Sequence, residues 1–162
     1  YGAIADYTKA IEIEPNYANA YNNRGLLKDD LEDYKGAIAD YTKSIEINPN
    51  DADAYNNRGH SKLELKDYYG AIADYTKAIE IEPNYAGVYY NRGNSKYYLK
   101  DYKRAIADYT RAIEINPNLA KAYLNRGVAK YYLGDKSGAC KDARKAQELG
   151  IDASAFIEYA CN

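Results

Sequence analysis

Apolar and aromatic positions recur along this chain in two alternating helical patterns. From 67 to 84 the sequence reads DYYGAIADYTKAIEIEPN, in which Ala71, Ile72, Tyr75, Ala78, Ile79 and Ile81 form the stripe of an amphipathic helix. Pro83 predicts where that helix stops, because proline disfavours helical geometry in the residue before it. Just upstream, DADAYNNRGHSKLELK (51–66) predicts another helix, with Asp51 placed as its cap and aromatic or apolar residues again at helical spacing. The connections are only a few residues long, so neighbouring helices are expected to run antiparallel.

The pattern repeats. Pro15, Pro49, Pro83 and Pro117 are spaced 34 residues apart, as are Gly25, Gly59, Gly93 and Gly127, and Ala3, Ala37, Ala71, Ala105 and Ala139. A fixed period in this range marks a solenoid, in which a helix pair buries its apolar face only by stacking on the next pair. Within the period, Tyr21-x-x-Arg24-Gly25-x-x-Lys28, then Ala37-x-x-x-Tyr41, then Pro49, resembles the tetratricopeptide repeat over nearly the whole chain. Three positions depart from that family's pattern: Tyr stands for the usual Trp, Arg for the Leu before Gly, and Lys for the Tyr three residues after Gly. They suggest a subtype with a more polar helix junction. The resemblance implies an all-α, right-handed superhelical solenoid of antiparallel helix pairs. Its expected layout is 1–17 as the second helix of a truncated repeat, full repeats at 18–51, 52–85 and 86–119, a degenerate repeat at 120–153, and a capping helix at 153–162.

The repeated Asn-Arg-Gly needs a reason. A residue without Cβ allows two antiparallel helices to approach, and that contact must offset the roughly 1 kcal/mol a helical Gly costs against Ala. Arg24, Arg58, Arg92 and Arg126 recur in step with Asp40, Asp74, Asp108 and Asp142 (and with Asp6), which suggests a structural ladder of ion pairs. The competing reading is an anion-binding stripe. Asn23, Asn57, Asn91 and Asn125 form the third row. In tetratricopeptide arrays the first helices line the concave face, so the resemblance places these amides in a groove. First helices of such arrays stack at roughly 10 Å, and an extended peptide advances about 3.3 Å per residue, so one amide meets about every third residue. An Asn offers a donor and an acceptor to a peptide group. The row resembles the asparagine ladder of the O-linked N-acetylglucosamine transferase superhelix, which grips peptides by their backbone. The alternative is that each Asn only braces a neighbouring helix.

Positions that vary between repeats are where selectivity is expected. Asn22, Asn56 and Tyr90 precede the row, while His60 and Asn94 follow it by three residues. Tyr97 and Tyr131 lie further along the same faces, beside Asp53 early and Lys121 late. Tyr90, Tyr97 and Tyr131 suit an apolar anchor, or else simply pack between helices. The carboxylate clamp of related co-chaperones needs Lys and Arg beside Asn in the groove. The first two full repeats offer Asn19, Asn22, Asp53 and Asn56 instead, so that clamp is not expected.

Composition narrows the classes. The 162 residues are 46% hydrophobic with a formal net charge of -2, unlike the strong basic excess of a generic nucleic-acid binder. Charge is uneven: residues 1–85 hold 16 acidic and 9 basic residues (−7), and 86–162 hold 8 and 13 (+5). Tyr, at 21 copies against one Phe and no Trp, fills the large-aromatic role. No apolar run is long enough to span a bilayer. With no opening Met and no signal-peptide pattern, the chain reads as a fragment or processed piece. The single His60 excludes a His-based metal cluster or triad, no Gly-rich phosphate loop appears, and the carboxylates recur with the period, so neither enzyme activity, nor a cofactor, nor a metal is expected. Cys140 opens the last second helix and Cys161 closes the cap, so the two can meet as a disulfide, which implies an oxidising compartment such as a periplasm. As free thiols they leave the cytoplasm open. The expected function is a scaffold that binds an extended segment of a protein partner. The alternative is a self-assembling array built by head-to-tail contacts, a homo-oligomer.

Overall fold

In the computed structural model, residues 2–161 are described. They form α1 (Gly2–Ile13), α2 (Ala18–Asp30), α3 (Tyr34–Ile47), α4 (Ala52–Glu64), α5 (Tyr68–Ile81), α6 (Ala86–Tyr98), α7 (Tyr102–Ile115), α8 (Ala120–Tyr132), α9 (Lys136–Glu148) and α10 (Ser154–Cys161), with no strand among them. The chain divides between Pro83 and Asn84 into two compact units. In the first, α2 packs with α3 and α4 with α5 as hairpins, α3 packs against α4, and α1 rests on α2. In the second, α6–α7 and α8–α9 are the hairpins, α7 packs against α8, and α10 lies on α9.

Local chemistry sets the boundaries. Four second helices, α3, α5, α7 and α9, begin at an Asp cap: Asp33, Asp67, Asp101 and Asp135 accept from the backbone N–H three residues on. Each second helix of a full repeat ends at an Ile two residues before Pro, as in α3, α5 and α7. The turn inside each hairpin needs one left-handed residue, and Glu32, Lys66, Lys100 and Gly134 supply it at the same point of the period, with φ of 60–62° for the first three and 85° for Gly134. In the first turn, Asp33 N donates to Lys28 O at 2.8 Å, and Asp67, Asp101 and Asp135 do likewise to Lys62, Lys96 and Lys130.

The core is built from small residues and Tyr. Ala37, Ala71, Ala105 and Ala139 are fully buried, as are Tyr41, Tyr75 and Tyr109. The sequence suggested that Gly permits two helices to approach. What approaches it is a ring: a Cβ at Gly25, Gly59 or Gly93 would fall 2.6, 2.8 or 2.7 Å from the Tyr41, Tyr75 or Tyr109 side chain. In the last repeat Ala143 stands where that Tyr would be, and a Cβ at Gly127 would meet α9 itself first, at Ala139 O (3.1 Å) and Asp142 Cβ (3.2 Å), with the Phe156 ring of α10 at 3.4 Å. Here the second helix approaches the glycine directly, and the capping helix adds an aromatic beside that contact. Cys140 and Cys161 are joined at an S–S distance of 2.02 Å, tying α10 to the start of α9. No described helix is long and apolar enough to cross a membrane.

Candidate functional site

The Arg row lies in the hairpin junctions. Arg24 forks onto Asp40 at 2.8 and 2.6 Å, Arg58 onto Asp74 at 2.9 and 2.7 Å, Arg92 onto Asp108 at 3.0 and 2.8 Å, and Arg126 onto Asp142 at 2.8 and 2.7 Å. The four carboxylates are only 3–5% exposed, and a two-point fork is the geometry that suits a guanidinium. Lys28, Lys62, Lys96 and Lys130, one turn later, reach the same carboxylates at 2.6–2.8 Å. Each junction therefore holds two cations and one anion. The excess positive charge is shared with two further groups. The guanidinium carbon sits 5.4–5.6 Å over the ring of Tyr21, Tyr55, Tyr89 or Tyr123. Arg24, Arg58 and Arg126 also donate at 3.1 Å to Thr8, Thr42 and Thr110 of the preceding second helix. Thr8 and Thr42 hydroxyls donate back to a carbonyl four residues earlier, which orients their lone pairs toward the Arg. Asp40 beside it holds the Arg24 pKa above its ordinary value, against the opposing effect of burial. This arrangement leaves these guanidiniums little freedom to hold a mobile anion. The sequence flagged the Lys departures without a role; the shared carboxylate supplies one. The Thr partners were missed, although Thr recurs directly after the motif Tyr in each full repeat.

The Asn row is half-buried on the first helices. In the first unit, Asn57 Nδ2 donates to Asn22 Oδ1 at 3.3 Å, and Asn56 Nδ2 to Asn57 Oδ1 at 3.4 Å. In the second, Asn125 Nδ2 donates to Asn94 Oδ1 at 3.0 Å and to the Tyr90 hydroxyl at 3.2 Å, while Tyr109 donates to the same Asn94 oxygen at 2.9 Å. The Asn57–Asn22, Asn125–Asn94 and Asn125–Tyr90 bonds run between successive first helices, Asn56–Asn57 lies within α4 and Tyr109–Asn94 joins α7 to α6, and the Asn57 and Asn56 contacts are at the long end of the hydrogen-bond range. Tyr90, Asn94, Tyr97, Tyr98, Asn125 and Val128 line a cleft of about 310 Å³. Tyr97 is ringed by Tyr98, Tyr102 and Tyr132 at 5.5–6.1 Å, and burial followed by the neighbouring Tyr132 pushes its pKa up to about 12. Tyr131 packs on Phe156 and Tyr159 of α10, at 6.2 and 4.8 Å.

The first unit has a different character at the equivalent positions. Asp29 accepts from Ser61 at 2.7 Å and from Tyr41 at 3.1 Å. His60 lies between two carboxylates, 3.7 Å from Asp29 and 3.8 Å from Glu64. Asp29, and to a lesser extent Glu64, hold the His60 pKa above its ordinary value, although partial burial works the other way. Asp53 is exposed in the first turn of α4, and Lys121 is exposed in that of α8. A broader depression of about 620 Å³ on α8 and α9 includes Arg126, Asp142, Lys145 and Glu148, whose charges already pair within it, and no amide of the Asn row. No group of three or more metal-ligating side chains occurs among the described residues.

Models of the tetratricopeptide repeat match residues 18–51, 52–85 and 86–119, and a second repeat model matches 2–28. The chain belongs to the tetratricopeptide repeat family. This TPR chain is also similar to solved TPR structures. A MamA crystal structure is 27% identical over 90% of this chain and 85% of that one, with a TM-score of 0.87. MamA 41-end from Desulfovibrio magneticus RS-1 is 21% identical over 90% and 82%, with a TM-score of 0.85, a likeness of fold. The first TPR of Spaghetti (RPAP3), bound to the HSP90 peptide SRMEEVD, is 26% identical over 68% of this chain and 90% of that one, at 0.66. Among curated proteins, none matches the chain. As a TPR protein it is a scaffold for protein interaction, and the family is generally not enzymatic.

Proposed function

We propose that this TPR chain binds extended protein segments along its first helices, where the row amides, Asn23 and Asn57 in the first unit and Asn91 and Asn125 in the second, pair with peptide backbone. The observation that carries this reading is the cleft around Asn125. A row amide sits there at the wall of a 310 Å³ space, with Tyr90, Tyr97 and Tyr98 around it and its side chain bonded to Tyr90 and Asn94 of the neighbouring first helix. An incoming peptide group replaces those bonds one for one, so the exchange costs little. A net hydrogen bond contributes roughly 0.5–1.5 kcal/mol, so the amides alone give weak binding and the Tyr-lined cleft supplies the anchor, with affinity on the order of micromolar. Around the first unit's amides, Asp29, Asp53 and Glu64 favour a basic stretch of the partner.

A peptide rich in carboxylates, such as the SRMEEVD bound to the RPAP3 TPR, is a poorer fit. The four motif Arg are all committed to junction carboxylates, and Lys121 alone adds a cation near the second unit's amides. A displayed peptide library tests the reading. Selected peptides are expected to carry an apolar or aromatic anchor for the second unit or basic residues for the first, and Asn125→Ala with Tyr90→Ala should weaken the anchored peptides at least tenfold. A library from which nothing is selected counts against it.

A further inference from the structure

Asp29 is neutralised differently from the junction carboxylates. Each junction Asp takes an Arg and a Lys. Asp29 instead takes two neutral donors, Ser61 at 2.7 Å and Tyr41 at 3.1 Å, although its side chain is only 12% exposed. The one basic side chain within ion-pair reach of it, among the described residues, is His60. Its Nδ1 lies 3.7 Å from Asp29 and its Nε2 lies 3.8 Å from Glu64. Both separations are too long for a hydrogen bond, so charge alone holds the ring between the two carboxylates.

The Tyr75 hydroxyl offers the ring a second place. It is buried and has no hydrogen-bond partner among the described residues. One period later the Tyr109 hydroxyl donates to Asn94 at 2.9 Å, and His60 stands at the position of Asn94. The two hairpins set their Tyr alike, since a Cβ at Gly59 or Gly93 would fall 2.8 or 2.7 Å from the ring. Nδ1 of a His and Oδ1 of an Asn both hang on Cγ, so His60 in the Asn94 rotamer brings Nδ1 to the Tyr75 hydroxyl. Only a neutral imidazole has a lone pair to accept with. The His60 side chain is 49% exposed, which leaves it room to turn between staggered rotamers.

We propose that His60 is a pH gate on the first unit: protonated, it fills the space between Asp29 and Glu64; neutral, it turns to accept from Tyr75 and leaves the two carboxylates to one lysine or arginine side chain of a partner. The occupant rests on the proposed binding of extended segments by this unit, whereas the turn of the ring does not. The titratable groups around the ring in this unit are Asp29 of α2, Glu64 of α4, Tyr34 and Tyr41 of α3, and Tyr75 of α5, the three Tyr all lying near the same two carboxylates. Lys28 and Lys62 are drawn away to Asp40 and Asp74. Between about pH 5.5 and about pH 8.5, His60 is therefore the group here that changes charge. The gate is closed at the lower end and opens as pH rises through the His60 titration.

In the full chain, whose single His is His60, NMR follows the ring. His60 is expected to change rotamer across its titration, read from its side-chain three-bond couplings. Tyr75→Phe is expected to raise the His60 pKa by about 0.5 unit, because the neutral ring loses its hydrogen bond. One rotamer throughout, or a His60 pKa untouched by Tyr75→Phe, overturns the gate. A capped peptide of alternating Lys and Ala is the binding probe, by calorimetry at about pH 5.5 and about pH 8.5. Binding is expected to be about fivefold tighter at the higher pH, the worth of one charge at contact distance in water. His60→Asn, which puts the next repeat's residue at this position, is expected to bind at the tighter level at both. Equal affinity at the two pH values in the intact chain overturns the gate while the groove still binds. Absence of binding at either pH overturns the assigned occupant, and the ring's own titration tells that result apart from a failed gate.

Discussion

Three tyrosines at one position of the repeat separate packing from hydrogen bonding. Tyr41 and Tyr109 are fully buried and donate to Asp29 and Asn94, whereas the Tyr75 hydroxyl is buried with no hydrogen-bond partner among the described residues. The reason is local: Leu63 stands where the period places Asp29, and Asn94 is replaced by His60. An unpaired buried hydroxyl costs free energy, and removing it with the ring kept in place is nearly neutral or stabilising. Tyr41→Phe and Tyr109→Phe should each lose about 1 kcal/mol in urea unfolding, while Tyr75→Phe should lose nothing or gain. At the junctions, Asp74→Asn leaves Arg58 and Lys62 without their anion in a buried place, and a loss of about 3 kcal/mol is expected. His60 supplies a third test, because as the single His its ring proton signal stands alone in an NMR titration. Its pKa should lie above the ordinary 6.5 and fall in Asp29→Asn. The sign follows from the raised folded value: the stabilisation from this contact is complete below the unfolded pKa and disappears as pH rises through the folded one.

At the scale of elements, the hairpin turns show where residue type conceals conformation. Glu32, Lys66 and Lys100 take a left-handed backbone that only Gly134 adopts without penalty. Nothing in the type of a Glu or Lys announces that φ, so the turn positions were readable only through the period, with Gly134 as the one overt sign. Lys66→Gly should stabilise the α4–α5 hairpin by about 0.5–1 kcal/mol, seen as a higher urea midpoint. The capping helix gives the opposite case. The decay of the last repeat at Ala143 was visible in the sequence, but the added aromatic was not, because Phe156 comes beside Gly127 from beyond the repeat. The Cys140–Cys161 bridge holds that helix in place across a separation of 21 residues. Reducing it, or Cys161→Ser, should cost about 3 kcal/mol by chain entropy and speed hydrogen exchange in α10 well before α6 and α7.

For the whole molecule, a 34-residue period carried nearly everything about architecture, because stability in such arrays is a sum of repeats and nearest-neighbour contacts. Helix pairs, their antiparallel sense and the Arg–Asp register all follow from positions that recur. What the period hid is what departs from it: the Tyr75 hydroxyl, the His60–Asp29 contact, and the Tyr side chains that gather in the second unit where the first carries carboxylates. Those departures are also where partner choice resides in the proposed function. The measurement that tests its central claim is the affinity of a library-selected peptide for the intact chain and for one with Asn23, Asn57, Asn91 and Asn125 changed to Ala, read by calorimetry with circular dichroism as the folding control. The account predicts an unchanged helical spectrum and binding weakened at least tenfold. Undiminished affinity in the four-Ala chain would contradict it.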